Sequence, residues 1–207
     1  MSARPVRALD FSTLPVIESM DMFIRLDRGI EARLAELFKE TRERADASLM
    51  FFFQTSEKDD RWRNDARLRA GLNEFFSLEA AAVRDLRGAG KAIIPPRLCE
   101  SLNPLVHLMY ILRHVGVHCR PVPTGVAPIT VVSDYNNQRL EHSYGEVVLE
   151  SLAVDDLLRT AEVKGYYRRS DLESMVNWLT GTQNTFGIGE VFRRGVGAYC
   201  CELIAAL

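Results

Sequence analysis

The sequence predicts a mainly α-helical fold that carries a small β-hairpin or extended insertion. Apolar residues recur at steps of three and four over most of the 207 residues, which is the period of an amphipathic helix. Between residues 121 and 152 the pattern changes to prolines followed by short β-branched runs, which favour strands. We therefore expect one domain over residues 1–207, with an insertion at 121–152.

Three helices are predicted in the first part of the chain, after an irregular arm over residues 1–16. The first runs from about Val16 to Ala47, and Ser48–Phe53 either ends it or forms a buried connector. The second runs from about Asp60 to Arg87, where a Gly-Ala-Gly sequence is a typical helix stop. The third begins at Asn103-Pro104, because Asn is a favoured cap and Pro a favoured first helical residue.

The insertion and the last part of the chain follow. Strands are predicted at 129–132 and 147–149, with turn signals at Asp134–Asn137 and at Tyr144-Gly145. A short helix is expected at 155–161. Two more are expected at 170–182, with Ser170 and Glu173 spaced as a capping box, and at 189–206.

Composition excludes several classes of protein. The net charge of −2 does not fit a polycation that coats nucleic acid, so any such contact is expected to be local. No run of about 20 apolar residues is present, and the start of the chain lacks the apolar core of a secretory signal. The four cysteines form no CxxC pair and are interpreted as reduced, mostly buried thiols. These observations predict a cytoplasmic protein with no membrane association.

Arginine outnumbers lysine by 22 to 4. A GC-rich genome explains such a bias, and so does phosphate recognition, in which the planar guanidinium outperforms an ammonium group. Composition alone does not separate the two explanations.

Three of the four histidines, His107, His114 and His118, lie within twelve residues of the third predicted helix. Their spacing places them within about 40° of one another on the helical wheel. Leucines and a methionine occupy the opposite side. We therefore expect the histidine stripe to face solvent, a cleft or a partner chain. Histidine titrates near neutral pH and arginine stabilises phosphate charge, so Arg113 beside this stripe suits phosphodiester chemistry.

The segment from Arg113 to His118 matches the R-x4-H pattern of the HEPN superfamily, with a polar residue after the arginine. It closes an apolar helix that two long helices precede, as in that superfamily. The stretch Arg69–Glu79 also resembles the second-helix segment of prokaryotic HEPN-like proteins, and the resemblance covers roughly residues 17–120. The segment from Asn177 to Ile188 is similar to the tail of further members.

The resemblance implies a helical bundle that forms a homodimer and cuts RNA without a metal or cofactor. By position, Arg113 would stabilise the scissile phosphate, His118 would act as the acid and base, and His114 would help to orient them. Such proteins serve as toxins or antiphage effectors, with an antitoxin or another protein as partner. Arg120 stands where toxins paired with nucleotidyltransferase antitoxins have Tyr, so we do not expect that pairing. The alternative is a catalytically inactive HEPN-like dimer that binds a partner protein or nucleotide.

Other interpretations of the same residues remain open at this point. Arg113 and His118 also suit a solvated helix end, where cations are favourable. His114 and His118 also have the spacing of a zinc pair, although no third ligand is evident. The arginines at 61, 63, 67 and 69 and at 168, 169, 193 and 194 either line an RNA groove or form solvated helix faces.

Overall fold

A computed structural model describes residues 6–19, 25–53, 60–118, 123–135 and 138–207, with only the backbone for residues 117, 118, 133–135 and 138. The elements in order are α1 (Arg28–Leu37), α2 (Lys39–Phe53), α3 (Arg61–Gly88), α4 (Pro104–His118), β1 (Thr124–Tyr135), β2 (Gln138–Leu149), α5 (Val154–Leu158) and α6 (Arg169–Ala205). Two 3-10 turns lie at Phe11–Thr13 and Leu98–Glu100. The predicted fold class, mainly α with a small β-hairpin, is confirmed.

The predicted single helix over 16–47 is wrong. In the described part of that range the chain forms α1 and α2, with a non-helical Phe38 between them (φ −122°, ψ 56°). The reason lies in another helix, because the Asp85 carboxylate of α3 accepts bonds from the backbone N–H groups of Glu40 (3.1 Å) and Thr41 (2.8 Å). A carboxylate at this place stabilises a helix N-terminus, so α2 begins anew there. Phe38 is fully buried at the break.

The predicted ends of α3 and the predicted start of α4 are confirmed. Asp60 caps α3 by accepting from the Arg63 N–H at 3.0 Å, and Gly90 follows the helix with φ +69°. Asn103 caps α4, with Oδ1 accepting from Leu105 N at 2.9 Å. These ends follow from local side-chain chemistry, so the sequence could reveal them.

The insertion is an antiparallel hairpin in which Thr124 pairs with Leu149 at the base and Tyr135 with Gln138 at the far end. The predicted turn at Tyr144-Gly145 is wrong, because both residues lie inside β2 opposite Ile129 and Pro128. The other turn signal reaches residues 136 and 137, which lie outside the described residues. The base is buried and the strands extend away from it.

The helix α6 has two segments, as predicted, and they meet at Gly187 (φ +76°, ψ 163°). This backbone conformation is open to glycine almost alone. The predicted capping box at Ser170 and Glu173 is wrong, because α6 begins one residue earlier, after Arg168, without a side-chain cap.

The core lies where the second segment of α6 meets α2, α3 and α4. Phe192 packs edge-on against Phe52 of α2 (ring centres 4.8 Å apart), and Tyr199 packs against Phe75 of α3. The residues before α1 do not form a free arm in the described part, since Leu9, Phe11 and Leu14 pack on this core. Within the described ranges, none of the helices combines the length and apolar character that crossing a membrane requires.

Candidate functional site

Arg113 lies half-buried near the C-terminal end of α4, against the side of α3. Its guanidinium carbon is 4.3 Å from the centre of the Phe76 ring, and its Nε donates a long bond of 3.4 Å to Asn73 Oδ1. Within the described ranges no carboxylate lies within ion-pair distance of this guanidinium. The contact with the ring face does not neutralise the guanidinium charge, so this arginine can still pair with an anion such as a phosphate.

His114 is buried, with only 7% of the residue exposed. Its ring packs edge-on against Tyr110 (centres 4.5 Å apart) and against Phe76 (5.6 Å). Glu162 Oε1 is 3.9 Å from His114 Nδ1, beyond hydrogen-bond distance. His114 therefore contacts the same Phe76 ring over which Arg113 lies, and this shared ring links the two side chains.

His118 is the last residue of α4, one helical turn beyond His114, and its side chain lies outside the described part. The backbone at this point is still helical. Position 118 is five residues after Arg113, about 7.5 Å farther along the axis and about 140° around it. One α4 helix therefore does not bring the two predicted catalytic positions to the same face.

The face of α4 that carries Arg113 continues to Gly116, three residues later. A Cβ on Gly116 would lie 3.8 Å from Cγ of Arg69 on α3, an ordinary contact, so close helix packing does not require glycine here. Arg69, like Arg113, has no carboxylate within ion-pair distance in the described part. Asp65 lies one turn before Arg69, and its carboxylate accepts from the hydroxyl of Thr124 (2.6 Å) at the base of the hairpin.

Three α3 residues that meet this face of α4 belong to a longer stripe on α3 that sequence reasoning missed. We call Trp62, Arg69, Asn73 and Phe76 the α3 stripe, since these positions lie within about 60° on the wheel and span about 21 Å. Trp62, at the outer end, is 73% exposed. The available signal was the seven-residue spacing of Trp62, Arg69 and Phe76. It becomes informative only once Arg113 is known to pack on this side of α3.

The expectation that the histidine stripe faces solvent, a cleft or a partner is wrong for His107 and His114. His107 is fully buried and bridges two partners, with Nε2 2.6 Å from the Ser101 carbonyl oxygen and Nδ1 2.6 Å from the Tyr167 hydroxyl. A carbonyl oxygen only accepts, so Nε2 carries the proton and the hydroxyl donates to Nδ1. Burial is the main reason why the pKa of His107 falls to about 4.

The physical reason for this error is that α4 is buried almost all round. Apolar residues and histidines alike are covered by neighbouring helices and by Tyr167. An apolar stripe on one side of a helix does not show that the other side is exposed, because a central helix is surrounded. His107 is a structural residue.

The described residues give little support for a metal site or for a reactive thiol. No group of three or more His, Cys, Asp or Glu side chains is placed there to hold a metal ion. Cys99 and Cys200 are buried free thiols, Cys201 is exposed, and Cys119 lies outside the described residues. The fourth histidine, His142, lies in β2 and is exposed.

The comparisons with known proteins give no further assignment. No protein-family model, no curated protein and no solved structure matches this chain.

Proposed function

We propose that this protein is a metal-independent endoribonuclease of the HEPN type that acts as a homodimer in a toxin or antiphage-defence system. Arg113 stabilises the charge on the scissile phosphate, and His118 moves the protons. His114 supports Arg113 through the Phe76 ring. RNA is the substrate, because its 2′-hydroxyl supplies the nucleophile.

The proposed reaction conserves every atom of the RNA in its two products. The 2′-oxygen attacks the adjacent phosphorus while a base takes the hydroxyl proton. The bond from phosphorus to the 5′-oxygen breaks, and that oxygen receives a proton. The products carry a 2′,3′-cyclic phosphate and a 5′-hydroxyl, and no metal or oxidant takes part.

The observation that carries the proposal is the pair of arginines without a carboxylate partner, Arg69 and Arg113, where α3 meets the end of α4. Many other arginines in the described part of the chain pair with carboxylates, such as Arg42 with Glu31 and Arg84 with Glu40. Guanidinium groups without a carboxylate partner on neighbouring helices attract a phosphate backbone. The exposed Trp62 on the same stripe offers a flat ring on which a base can stack.

The second candidate function is a catalytically inactive dimer that binds a partner protein or nucleotide. The burial of His114 favours it, because a histidine covered by Phe76 and Tyr110 cannot reach an RNA strand directly.

The test compares cleavage of single-stranded RNA in EDTA by the wild type and by Arg113→Ala and His118→Ala. Matched controls are Arg159→Ala and His142→Ala, which remove the same side-chain types at exposed positions. We expect both site variants to lose cleavage while both controls keep it, with unchanged circular dichroism. If the purified wild type and the site variants leave the RNA equally intact, the inactive dimer is the better account.

A further inference from the structure

A second candidate site lies away from the α3 stripe. A cavity of about 200 Å³ opens between the start of α1, the second segment of α6 and the residues just before α4. It shares no lining residue with the Arg113 cluster. Asn103 lies on its wall, ten residues before Arg113, which corresponds to about 15 Å along the α4 axis.

Three arginines and one carboxylate lie among the residues that line this cavity. Arg25, Arg193 and Arg194 line it, and Asp27 is the carboxylate among the lining residues. Asp27 is already engaged, since its Oδ1 accepts from the Gly29 N–H at 2.8 Å as the cap of α1. Glu190 is buried, and its carboxylate accepts hydrogen bonds from both Arg193 and Arg194.

The buried Glu190 holds the two neighbouring arginines in different ways. Arg193 is bound through two nitrogens, both 2.7 Å from the Glu190 carboxylate oxygens, and its side chain is only 7% exposed. Arg194 is bound through Nε alone, at 2.8 Å. Its two terminal nitrogens have no other hydrogen-bond partner in the described part of the chain, and its side chain is one-third exposed. The Nε atom of Arg194 is therefore held by Glu190, and its two terminal nitrogens can donate hydrogen bonds to a ligand.

The rest of the wall limits the size and character of a ligand. Ile30, Gly197 and Ala198 make part of it apolar. The volume of about 200 Å³ is below the roughly 300–1,000 Å³ of pockets that take drug-sized molecules. A compact molecule with one anionic group and a small apolar body fits these limits.

We propose that this cavity binds a small organic anion, whose carboxylate or phosphate group is held by the terminal nitrogens of Arg194. Arg193 and Glu190 are positioning residues that fix the Arg194 side chain. The inference does not rest on the proposed ribonuclease function, because no residue of the α3 stripe takes part.

The experiment measures binding of three probes by calorimetry: inorganic phosphate, phenyl phosphate and benzoate. The two aromatic probes carry an apolar body on a phosphate or a carboxylate, so their comparison identifies the preferred anionic group. The variant is Arg194→Gln. The matched control is Arg42→Gln, another helical arginine of similar exposure that pairs with a glutamate.

We expect saturable binding of phenyl phosphate or benzoate to the wild type and to Arg42→Gln. Arg194→Gln should weaken it by about tenfold or more, the effect of losing a charge-assisted hydrogen bond. A second readout uses the unaltered protein: Cys201 lines the cavity and is exposed, so the bound probe should slow its alkylation, followed by peptide mass spectrometry. Absence of saturable binding by the wild type, equal binding by both variants, or Cys201 alkylation unaffected by a bound probe would overturn the proposal.

Discussion

The guanidinium carbon of Arg113 lies over the ring of Phe76, 4.3 Å from its centre, and the His114 ring packs at nearly a right angle to the same ring. One aromatic side chain of α3 thus contacts two of the three predicted site residues. Phe76 thereby limits the positions that Arg113 can take, while Asn73 receives only a long bond from it.

Replacing Phe76 with leucine should lower RNA cleavage by about two- to fivefold, because stacking of this kind contributes about 0.5–1 kcal/mol. The measurement is kcat/KM on a fluorescent single-stranded RNA. Phe53→Leu is the control, since Phe53 is an exposed phenylalanine at the end of α2. Equal activity of Phe76→Leu and the wild type would show that the Phe76 ring does not support Arg113 in cleavage.

Replacing Trp62 with alanine should weaken binding of single-stranded RNA, since stacking of one base on an aromatic ring contributes about 1–3 kcal/mol. Fluorescence anisotropy with labelled RNA measures the effect. Trp62→Phe keeps a stacking surface and should retain most of the affinity, while Ile94→Ala removes another highly exposed apolar side chain elsewhere. If Trp62→Ala and Ile94→Ala bind alike, Trp62 does not contact RNA.

His107 should make the stability of the fold depend on pH. Its pKa falls from 6.5 to about 4 on folding, so between these values the unfolded chain binds a proton that the folded chain excludes. Stability is therefore lost as the pH falls from 6.5 towards 4, by up to about 3 kcal/mol from this group. His107→Gln, which can still bridge Ser101 and Tyr167, should lose less stability over that range in urea titrations.

The histidine NMR signal that disappears in His107→Gln supplies the direct check. Its midpoint should lie near pH 4. A midpoint at pH 6 or above would mean that His107 is accessible to water and does not form the buried hydrogen bonds to Ser101 and Tyr167.

Gly187 and Gly181 of α6 should respond in opposite directions to alanine. At Gly187 the positive φ disfavours a side chain, and a Cβ would lie 2.9 Å from a carboxylate oxygen of Glu146, so Gly187→Ala should cost about 1–3 kcal/mol of unfolding free energy. Gly181 is exposed within the first segment, with nothing within 4 Å of such a Cβ, so Gly181→Ala should stabilise by up to about 1 kcal/mol. Thermal unfolding of the two variants measures both. Equal shifts would indicate that α6 has no break at Gly187.

The parts of the fold that could be predicted are those that local chemistry decides. Asp60 and Asn103 cap helices with their own side chains, and the predicted strands at 129–132 and 147–149 lie in the two strands of one hairpin, although each pairs with other residues of the opposite strand. The break at Phe38 could not be predicted, because the carboxylate that creates it belongs to Asp85, 45 residues after Glu40.

The candidate site likewise has one part that the sequence predicted and another part that depends on contacts between helices. The R-x4-H segment was visible in the sequence, but its surroundings depend on how α3 and α4 pack. The contacts of Arg113 with Phe76 and Asn73 cross between helices, and so does the approach of Arg69 to Gly116. Burial of His107 depends on Tyr167, 60 residues later.

The most direct measurement of the central claim uses one RNA oligonucleotide in two forms, incubated with the wild-type protein in EDTA. In the second form the nucleotide on the 5′ side of the cleaved bond lacks its 2′-hydroxyl. The account predicts cutting of the first form, with a 2′,3′-cyclic phosphate end seen by mass spectrometry, and no cutting at that bond in the second. Cutting of both forms at the same bond, or of neither, would contradict it.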